Sequence, residues 1–441
     1  MASINHIAQA NYISEDVVNI IAQVVSRKDI LTCRRVCKTW KKLFSNKSLW
    51  STLIPNDYSY IKLANPMQYS DPFKAYLDDK RIIYNIRNLN YEFEPFLPLE
   101  AFEEKVKFIK FINVWDNNLV VKTHGVYDVR YPKVKFDHCF LIKNDRSIIE
   151  LETGNSKIMC LNEINHKLIA GTKNGALLEI KLEIKKDAKP LEIYSNSGES
   201  ITNVIPFKNQ YLITTRNFPK SNSQKISLLD TDGNLITSVQ IYAEVIHSFN
   251  DNILQGAHHA FSFLNDNLNV DLTRETLEID YKFKWERCAA SIYPKGYSRL
   301  LSPLIKFMSY KDKLIVADAL RARLFKDGSS KGELLSNNTL GTFTSQIISH
   351  YLVYFEEKTF IDNDGKETTD LFLTSYDFEN PNSKKSSKFK GTVSANKNVS
   401  PKGSQRFIYN GTLTGTSEMV AIGPQIFYND GFGISVLNFD I

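Results

Sequence analysis

The sequence predicts a molecule in two parts: a small all-α N-terminal segment of three short helices and, behind a helical linker, an all-β ring of six to eight blades, with seven the expected number. Three observations carry this expectation. Apolar residues near the N-terminus recur at helical spacing, the chain after about residue 100 turns into short β-branched and aromatic runs, and those runs recur as one phrase at blade length. A chain of 441 residues is also too long for one ordinary core unless a single architecture repeats itself.

The first helix rests on Val17, Ile20, Ile21, Val24 and Val25, which follow i, i+3, i+4, i+7, i+8 and form one face. Ser14 is placed to cap it, and Glu15 and Asp16 complement the dipole of its first turn. Asp29 is the expected cap of a second helix carrying Ile30, Leu31 and Cys33. A third follows with Val36, Cys37, Trp40, Leu43 and Phe44, and Leu49, Trp50 and Leu53 close the segment. Three helices this short enclose too little core to stand alone, so several of these residues must be covered by the next domain or by a partner chain. A plain capping bundle for the following domain is the alternative. The boundaries expected are 10–54 for the helical domain, 55–95 for the linker and 100–441 for the ring. Within the linker, Asn65-Pro66 and Asp71-Pro72 mark breaks, and Phe73, Tyr76, Leu77, Ile83, Ile86 and Leu89 predict an amphipathic helix over about 72–90.

The repeated phrase is an apolar run, a polar Asn/Asp/Lys turn, a second apolar run, then a glycine or Asx turn. LNEINHKLIAGTKNGALLEIKL, from Leu161, is its clearest copy. Anchoring each copy on its second run selects Leu119, Leu168, Leu212, Leu254, Leu314, Leu352 and Ile422, separated by about 49, 44, 42, 60, 38 and 70 residues. The mean of roughly 50 is near blade length. The longest interval holds a Ser/Lys/Asn-rich tract near 380–406, read as a flexible basic insertion. A four-stranded blade exposes edges and an apolar face, and a closed ring buries both, so the repeats predict a β-propeller. The Trp-Asp signature of tidy WD repeats is poorly kept: Leu229-Asp230 and Tyr376-Asp377 fall where a third strand would end, and Trp115-Asp116 does not. A β-sandwich with an extra domain is the structural alternative.

Little in the chain points to chemistry. A charged fraction of 24%, a hydrophobic fraction of 42% and a net charge of +6 describe a globular protein with no special pull toward nucleic acid. No run approaches 18 apolar residues and no signal-peptide pattern opens the chain, so no membrane partner is expected. Five cysteines lack ligand spacing and read as reduced thiols, with no metal and no cofactor expected. GxSxG, P-loop and HExxH patterns are missing. Asp362-Asn363-Asp364-Gly365 has its glycine too early for a calcium loop and reads as a hairpin turn, and His258-His259 is a lone pair. Arg321 and Arg323 share a strand face by period two and would suit an acidic or phosphorylated peptide. Solvent-exposed strand basics are the plainer reading.

The N-terminal order Ile13-Ser14-Glu15-Asp16, Ile20-Ile21, Asp29-Ile30-Leu31, Arg35-Val36-Cys37-Lys38-Thr39-Trp40, Leu49-Trp50 resembles an F-box. Where the family has Leu-Pro, this chain has Ile13-Ser14, so a capping serine replaces the proline that pre-organises the first turn. Phe73-Lys74, Tyr76 and Tyr84-Asn85-Ile86-Arg87 resemble the helix that precedes the first blade in F-box proteins with WD-repeat propellers. The resemblance implies a non-catalytic substrate receptor of a cullin-type ubiquitin ligase, binding a Skp-type adaptor, and through it cullin, and holding a protein substrate on the propeller. By the same resemblance the adaptor contact would comprise Ile13, Ser14, Val17, Ile20, Ile21, Ile30, Leu31, Val36, Trp40 and Trp50. Such a protein works in the cytoplasm or nucleus of a eukaryotic cell, or of a host cell if it is delivered there as a bacterial effector. A propeller scaffold whose F-box no longer binds an adaptor, and a propeller enzyme or lectin, are the rival functions.

Overall fold

A computed structural model gives the structure of the chain, describing residues 17–18, 20–21, 25, 27–46, 49–50, 72–102, 106–125, 137–151, 157–181, 190–196, 198–216, 224–241, 245–257, 260–278, 306–317, 322–326, 332–336, 345–361, 367–389, 419–429 and 433–441. Residues 17–18 and 20–21 are helical, α1 spans Arg27–Cys33 and α2 spans Lys38–Leu43. Asp29 lies inside the first turn of α1, not before it, so it complements the helix dipole instead of capping the helix. The cap of α2 is Cys37, whose thiol accepts from the Trp40 N–H at 3.5 Å. The linker helix, α3, runs Pro72–Asn88 with proline at its first position, close to the range its periodicity predicts.

Behind it come seven four-stranded antiparallel sheets, the blades of a propeller. Strand β1 (Glu92–Pro98) stands apart from the first blade, which is β2 (Val106–Trp115), β3 (Asn118–Gly125), β4 (Asp137–Ile142) and β5 (Ile148–Glu150). The second is β6 (Ile158–Ile164), β7 (Lys167–Thr172), β8 (Ala176–Ile180) and β9 (Leu191–Ser195). The third is β10 (Ser200–Phe207), β11 (Gln210–Arg216), β12 (Gln224–Leu229) and β13 (Leu235–Ile241). The fourth is β14 (Val245–Phe249), β15 (Asn252–Ala257), β16 (Ala260–Leu264) and β17 (Leu277–Glu278). The fifth is β18 (Lys306–Tyr310), β19 (Lys313–Ala317), β20 (Ala322–Lys326) and β21 (Glu333–Ser336). The sixth is β22 (Ser345–Ile348), β23 (Tyr351–Ile361), β24 (Glu367–Asp377) and β25 (Lys385–Lys388).

The seventh blade is assembled from both ends of the ring. β26 (Met419–Ile422), β27 (Gln425–Asn429) and β28 (Gly433–Asn438) supply three strands, and β1 adds the fourth by pairing antiparallel with β28, from Glu92 opposite Asn438 to Pro98 opposite Gly433. β1 therefore begins within the stretch expected to be linker and before residue 100. Its sequence, EFEPFLP, hides it: two prolines read as breaks, yet proline is tolerated on an outermost strand, where one edge donates to no neighbour. This split also corrects one anchor. Leu119, Leu168, Leu212, Leu254, Leu314 and Leu352 all lie in second strands, but Ile422 ends the first strand of its blade, and Ile426 occupies the matching place. Part of the expected flexible insertion is likewise strand: Lys385–Lys388 forms β25, with Lys388 opposite Phe372 and Lys385 opposite Ser375. Lysines suit an outermost strand because they discourage further pairing.

The first two strands of each blade are joined by two-residue turns. Asp116-Asn117, Asn165-His166, Lys208-Asn209 and Asn250-Asp251 have both residues left-handed, with φ between 44° and 63°, as type I′ hairpins require. Some third strands end in Asx turns: Asp230 Oδ1 accepts from the N–H groups of Asp232 and Asn234, and Asp377 Oδ1 from those of Glu379 and Asn380. Asn265 does the same work for β16, accepting from Asn267 and Asn269. What survives of the Trp-Asp signature is thus the turn-forming carboxylate or amide, not the tryptophan. Between blades, apolar clusters fill the seams, and side chains reach across: Asn113 to the Leu161 carbonyl at 3.1 Å, Asn162 to that of Val204 at 3.2 Å, and Asn429 to that of Ile109 at 3.1 Å.

Candidate functional site

The helical segment completes its core with the start of the linker helix. Val18, Ile30, Phe44, Leu49 and Trp50 are buried together with Phe73 and Tyr76 of α3. Trp50 is at the centre. Its ring lies 4.8 Å from that of Phe73 and 4.9 Å from that of Tyr76, and its indole N–H donates to the Phe44 carbonyl at 2.8 Å. Arg34 closes one side, its guanidinium 3.7 Å from the Phe73 ring centroid and its Nε donating to Ser45 at 2.8 Å. The sequence leaves open whether the next domain or a partner chain covers this apolar surface; Phe73 and Tyr76, at the start of the linker helix, cover part of it.

Eight of the ten residues named for an adaptor contact separate into three groups. Ile30 and Trp50 are completely buried in this core, so their side chains serve internal packing and have no surface to offer. Ile21, Leu31 and Trp40 are half-buried against the same core, Trp40 on Phe44 at 5.7 Å. Val17, Ile20 and Val36 remain outside it at 44%, 62% and 62% exposure, a set of branched apolar side chains that water would otherwise cover. Ile13 and Ser14 lie outside the described residues. Residue spacing alone did not separate buried from exposed positions here, because neighbouring helix faces are both apolar.

The linker helix fixes this segment to one side of the ring. Ile82, Ile86 and Leu89 are buried among Ile348, Tyr351, Tyr428 and Phe439. The Asn85 amide donates to the carbonyls of Phe439, at 3.0 Å, and Ile441, at 3.2 Å, and Phe439 in turn donates to Pro424 in the β26–β27 turn. The helix thus sits on the side carrying the short first-to-second-strand turns. Antiparallel alternation puts the second-to-third connections and the blade-to-blade connections on the other side. The strand ends joined by 279–305 and by 390–418 lie there.

Of the two arginines proposed for a substrate, Arg321 lies outside the described residues. Arg323 sits on β20, half-buried, and donates from Nη1 to the Gly332 carbonyl at 3.2 Å, which braces its own β20–β21 connection. Its guanidinium is therefore engaged in the blade and is not a free arm on the surface. His258 and His259 lie outside the described residues, as does 362–366, which joins a strand pair whose last register is Ile361 with Glu367. Among the described residues no group of three or more His, Cys, Asp or Glu is gathered to hold a metal ion, and no helix is long and apolar enough to cross a membrane. Cys160 is half-buried, and desolvation there pushes its thiol up to about 12, which makes it a poor nucleophile.

Residues 15–55 match the F-box-like family model. The chain thus combines an N-terminal F-box-like motif with a seven-bladed propeller. No curated protein matches the sequence. Among solved structures it is similar to the WD40 β-propeller domain of Doa1, at 9% identity and a TM-score of 0.41 over 79% of this chain and 96% of that one. A chain of the Mitotic Checkpoint Complex gives 9% and 0.43 over 79% and 90%, and the N-terminal domain of Nup159 gives 11% and 0.37 over 79% and 95%. The blade count stands on the strand pairing alone.

Proposed function

We propose that the chain is the substrate-recognition subunit of a cullin-type ubiquitin ligase: the F-box binds a Skp-type adaptor, and the propeller holds a protein substrate. One observation carries the reading. Within the segment that matches the F-box-like model, Val17, Ile20 and Val36 stay exposed while Val18, Ile30, Phe44, Leu49 and Trp50 are buried in the core. Burying three such side chains in a partner would contribute several kcal/mol at roughly 1.5–3 kcal/mol each. Ile13, Ser14, Ile21, Leu31 and Trp40 would border that contact.

In this role the chain performs no bond chemistry. It raises the local concentration of substrate lysines beside a charged conjugating enzyme, turning a bimolecular transfer into one close to unimolecular. Such proximity needs a fixed distance between adaptor and substrate, which the docked α3 helix supports. The substrate face is then the side of the ring opposite α3. The work takes place in the cytoplasm or nucleus of a eukaryotic cell. The test is affinity purification of the full chain from eukaryotic cells under proteasome inhibition. Recovery of adaptor and cullin with wild type, and their loss on replacing Val17, Ile20 and Val36 by polar residues, is the expected result. Equal recovery with both proteins would put the adaptor contact elsewhere on the chain, and none with wild type would leave a propeller scaffold with a silent F-box.

A further inference from the structure

The linker helix α3 is covered on its ring side by the blades, but on the opposite side only at its start. Ile82, Ile86 and Leu89 are buried on the ring, and Phe73 and Tyr76 are buried in the helical core. Phe73 opens an apolar row that continues along α3 as Leu77 and Tyr84, four and eleven residues later on the same face. Neither of these belongs to the helical core, and they are 40% and 61% exposed. They stand two turns apart, with exposed Lys80 and Arg87 along one flank and exposed Arg81 on the other.

The charge of this stripe has one sign. α3 holds two acids: Asp79 is buried, and Asp78 lies off the stripe, 3.6 Å from Arg81. Arg81 is also tied to Asp440. Lys80 and Arg87 form no ion pair among the described residues; the Lys80 ammonium rests 5.4 Å from the Tyr76 ring centroid. The sixth blade, which meets the end of α3 through Lys385 and Asn88, has its nearby carboxylates engaged elsewhere. Asp377 accepts from the N–H groups of its turn, and Glu379 accepts from Tyr310 and Lys311.

We propose that this stripe docks an acidic amphipathic helix of a partner protein, with its apolar side chains on Leu77 and Tyr84 and its carboxylates on Lys80 and Arg87. The spacing selects the shape. Apolar residues one heptad apart with cations on the flanks form a helix–helix seam, in which opposite charges on the flanks choose the partner. The charge selects the chemistry. A second copy of this chain laid on the stripe would bring Lys80 and Arg87 against cations, and a basic helix would meet the same repulsion. The occupant would sit beside the F-box, on the α3 side of the ring.

The probe is a fluorescent peptide of about three heptads, with leucine along one face and glutamate on both flanks. It should bind the full chain with a dissociation constant on the order of 10 µM at low salt, and about tenfold more weakly at high salt. The same peptide with lysine for glutamate should not bind. L77S/Y84S, which keeps every charge, should weaken the glutamate peptide by about fivefold or more. K80E/R87E should reverse the preference and bind the lysine peptide. All four positions are exposed, so circular dichroism and melting temperature should stay as in wild type. V17N/I20N/V36N should bind the peptide as wild type does, which keeps this surface separate from the adaptor contact. Wild type that binds both peptides alike, or neither, overturns the proposal, as does an unchanged preference in L77S/Y84S and K80E/R87E. A single-stranded oligonucleotide bound more tightly than the glutamate peptide, and lost in K80E/R87E, would make the stripe a nucleic-acid contact and overturn it too.

Discussion

The Asn85 side chain donates to the Phe439 main-chain carbonyl at 3.0 Å, joining the linker helix to the residue that follows the last strand of the ring, 354 positions away. The bond is buried, and the same amide reaches Ile441. Arg81 adds exposed contacts to Asp440 and the Ile441 carbonyl that count for little in water. The helix is therefore held by the buried Asn85 amide and the apolar row Ile82, Ile86 and Leu89.

Removing the anchor should loosen the helix without opening the ring. Asn85→Ala leaves the Phe439 carbonyl short of a donor and should cost about 1–3 kcal/mol. Ile86→Ala, which empties a fully buried site, should cost about 2–5 kcal/mol. Urea unfolding gives both values, and hydrogen exchange should show faster opening in α3 than in β26–β28. Equal loosening of helix and blade would mean that α3 is part of the last blade's folding unit.

Closure of the ring depends on a close backbone approach. A Cβ on Gly433 would come within 2.2 Å of the Leu97 carbonyl oxygen and 2.9 Å of the Pro98 Cα, both on the closing strand. Main chain cannot yield as a side-chain tip can, so Gly433→Val should push β1 off β28. The expected outcome is new proteolysis near 92–98 and a melting temperature lowered by several degrees, with the other blades still folded.

A half-buried histidine whose Nε2 is shut off from water should make stability fall in mild acid. His247, on β14, lies flat on Phe307 of the next blade, with ring centroids 4.8 Å apart and planes 11° apart. Its Nε2 has no hydrogen-bond partner among the described residues. Burial lowers its pKa from 6.5 to about 4. The unfolded chain then binds more protons between pH 6.5 and 4, so the stabilisation is complete above 6.5 and is lost as pH falls toward 4. The loss is on the order of 3 kcal/mol. Denaturation measured across this window should show the slope in wild type and a flatter line in His247→Phe.

The ring was legible in the sequence because each blade repeats a local rule: apolar alternation, then a turn whose residues accept positive φ, as Asp116-Asn117 and Asn165-His166 do. Six anchors fell on the right strand for that reason. The closing strand escaped because its pairing is not local: β1 meets β28 across almost the whole chain, and Pro95 and Pro98 look like loop until the edge position is known. The helical site was legible only as a set. Periodicity marks Ile20, Ile30 and Trp50 alike as apolar, and only packing against Phe73 and Tyr76 decides which of them remain outside.

That division yields a sharp contrast between two kinds of variant. Trp50→Ala removes a fully buried indole, its bond to the Phe44 carbonyl and two ring contacts, and should cost about 3–5 kcal/mol. A core of three short helices cannot absorb that loss, so the helical segment should unfold and adaptor capture should fail through lost structure. Val17, Ile20 and Val36 replaced by asparagine should fail in capture as well, yet with helix content and urea midpoint close to wild type, because exposed substitutions usually change stability by less than about 0.5 kcal/mol. Capture measured beside far-ultraviolet circular dichroism separates the two. If the surface variant unfolds as Trp50→Ala does, those three side chains belong to the core, and the adaptor contact must lie elsewhere on the chain.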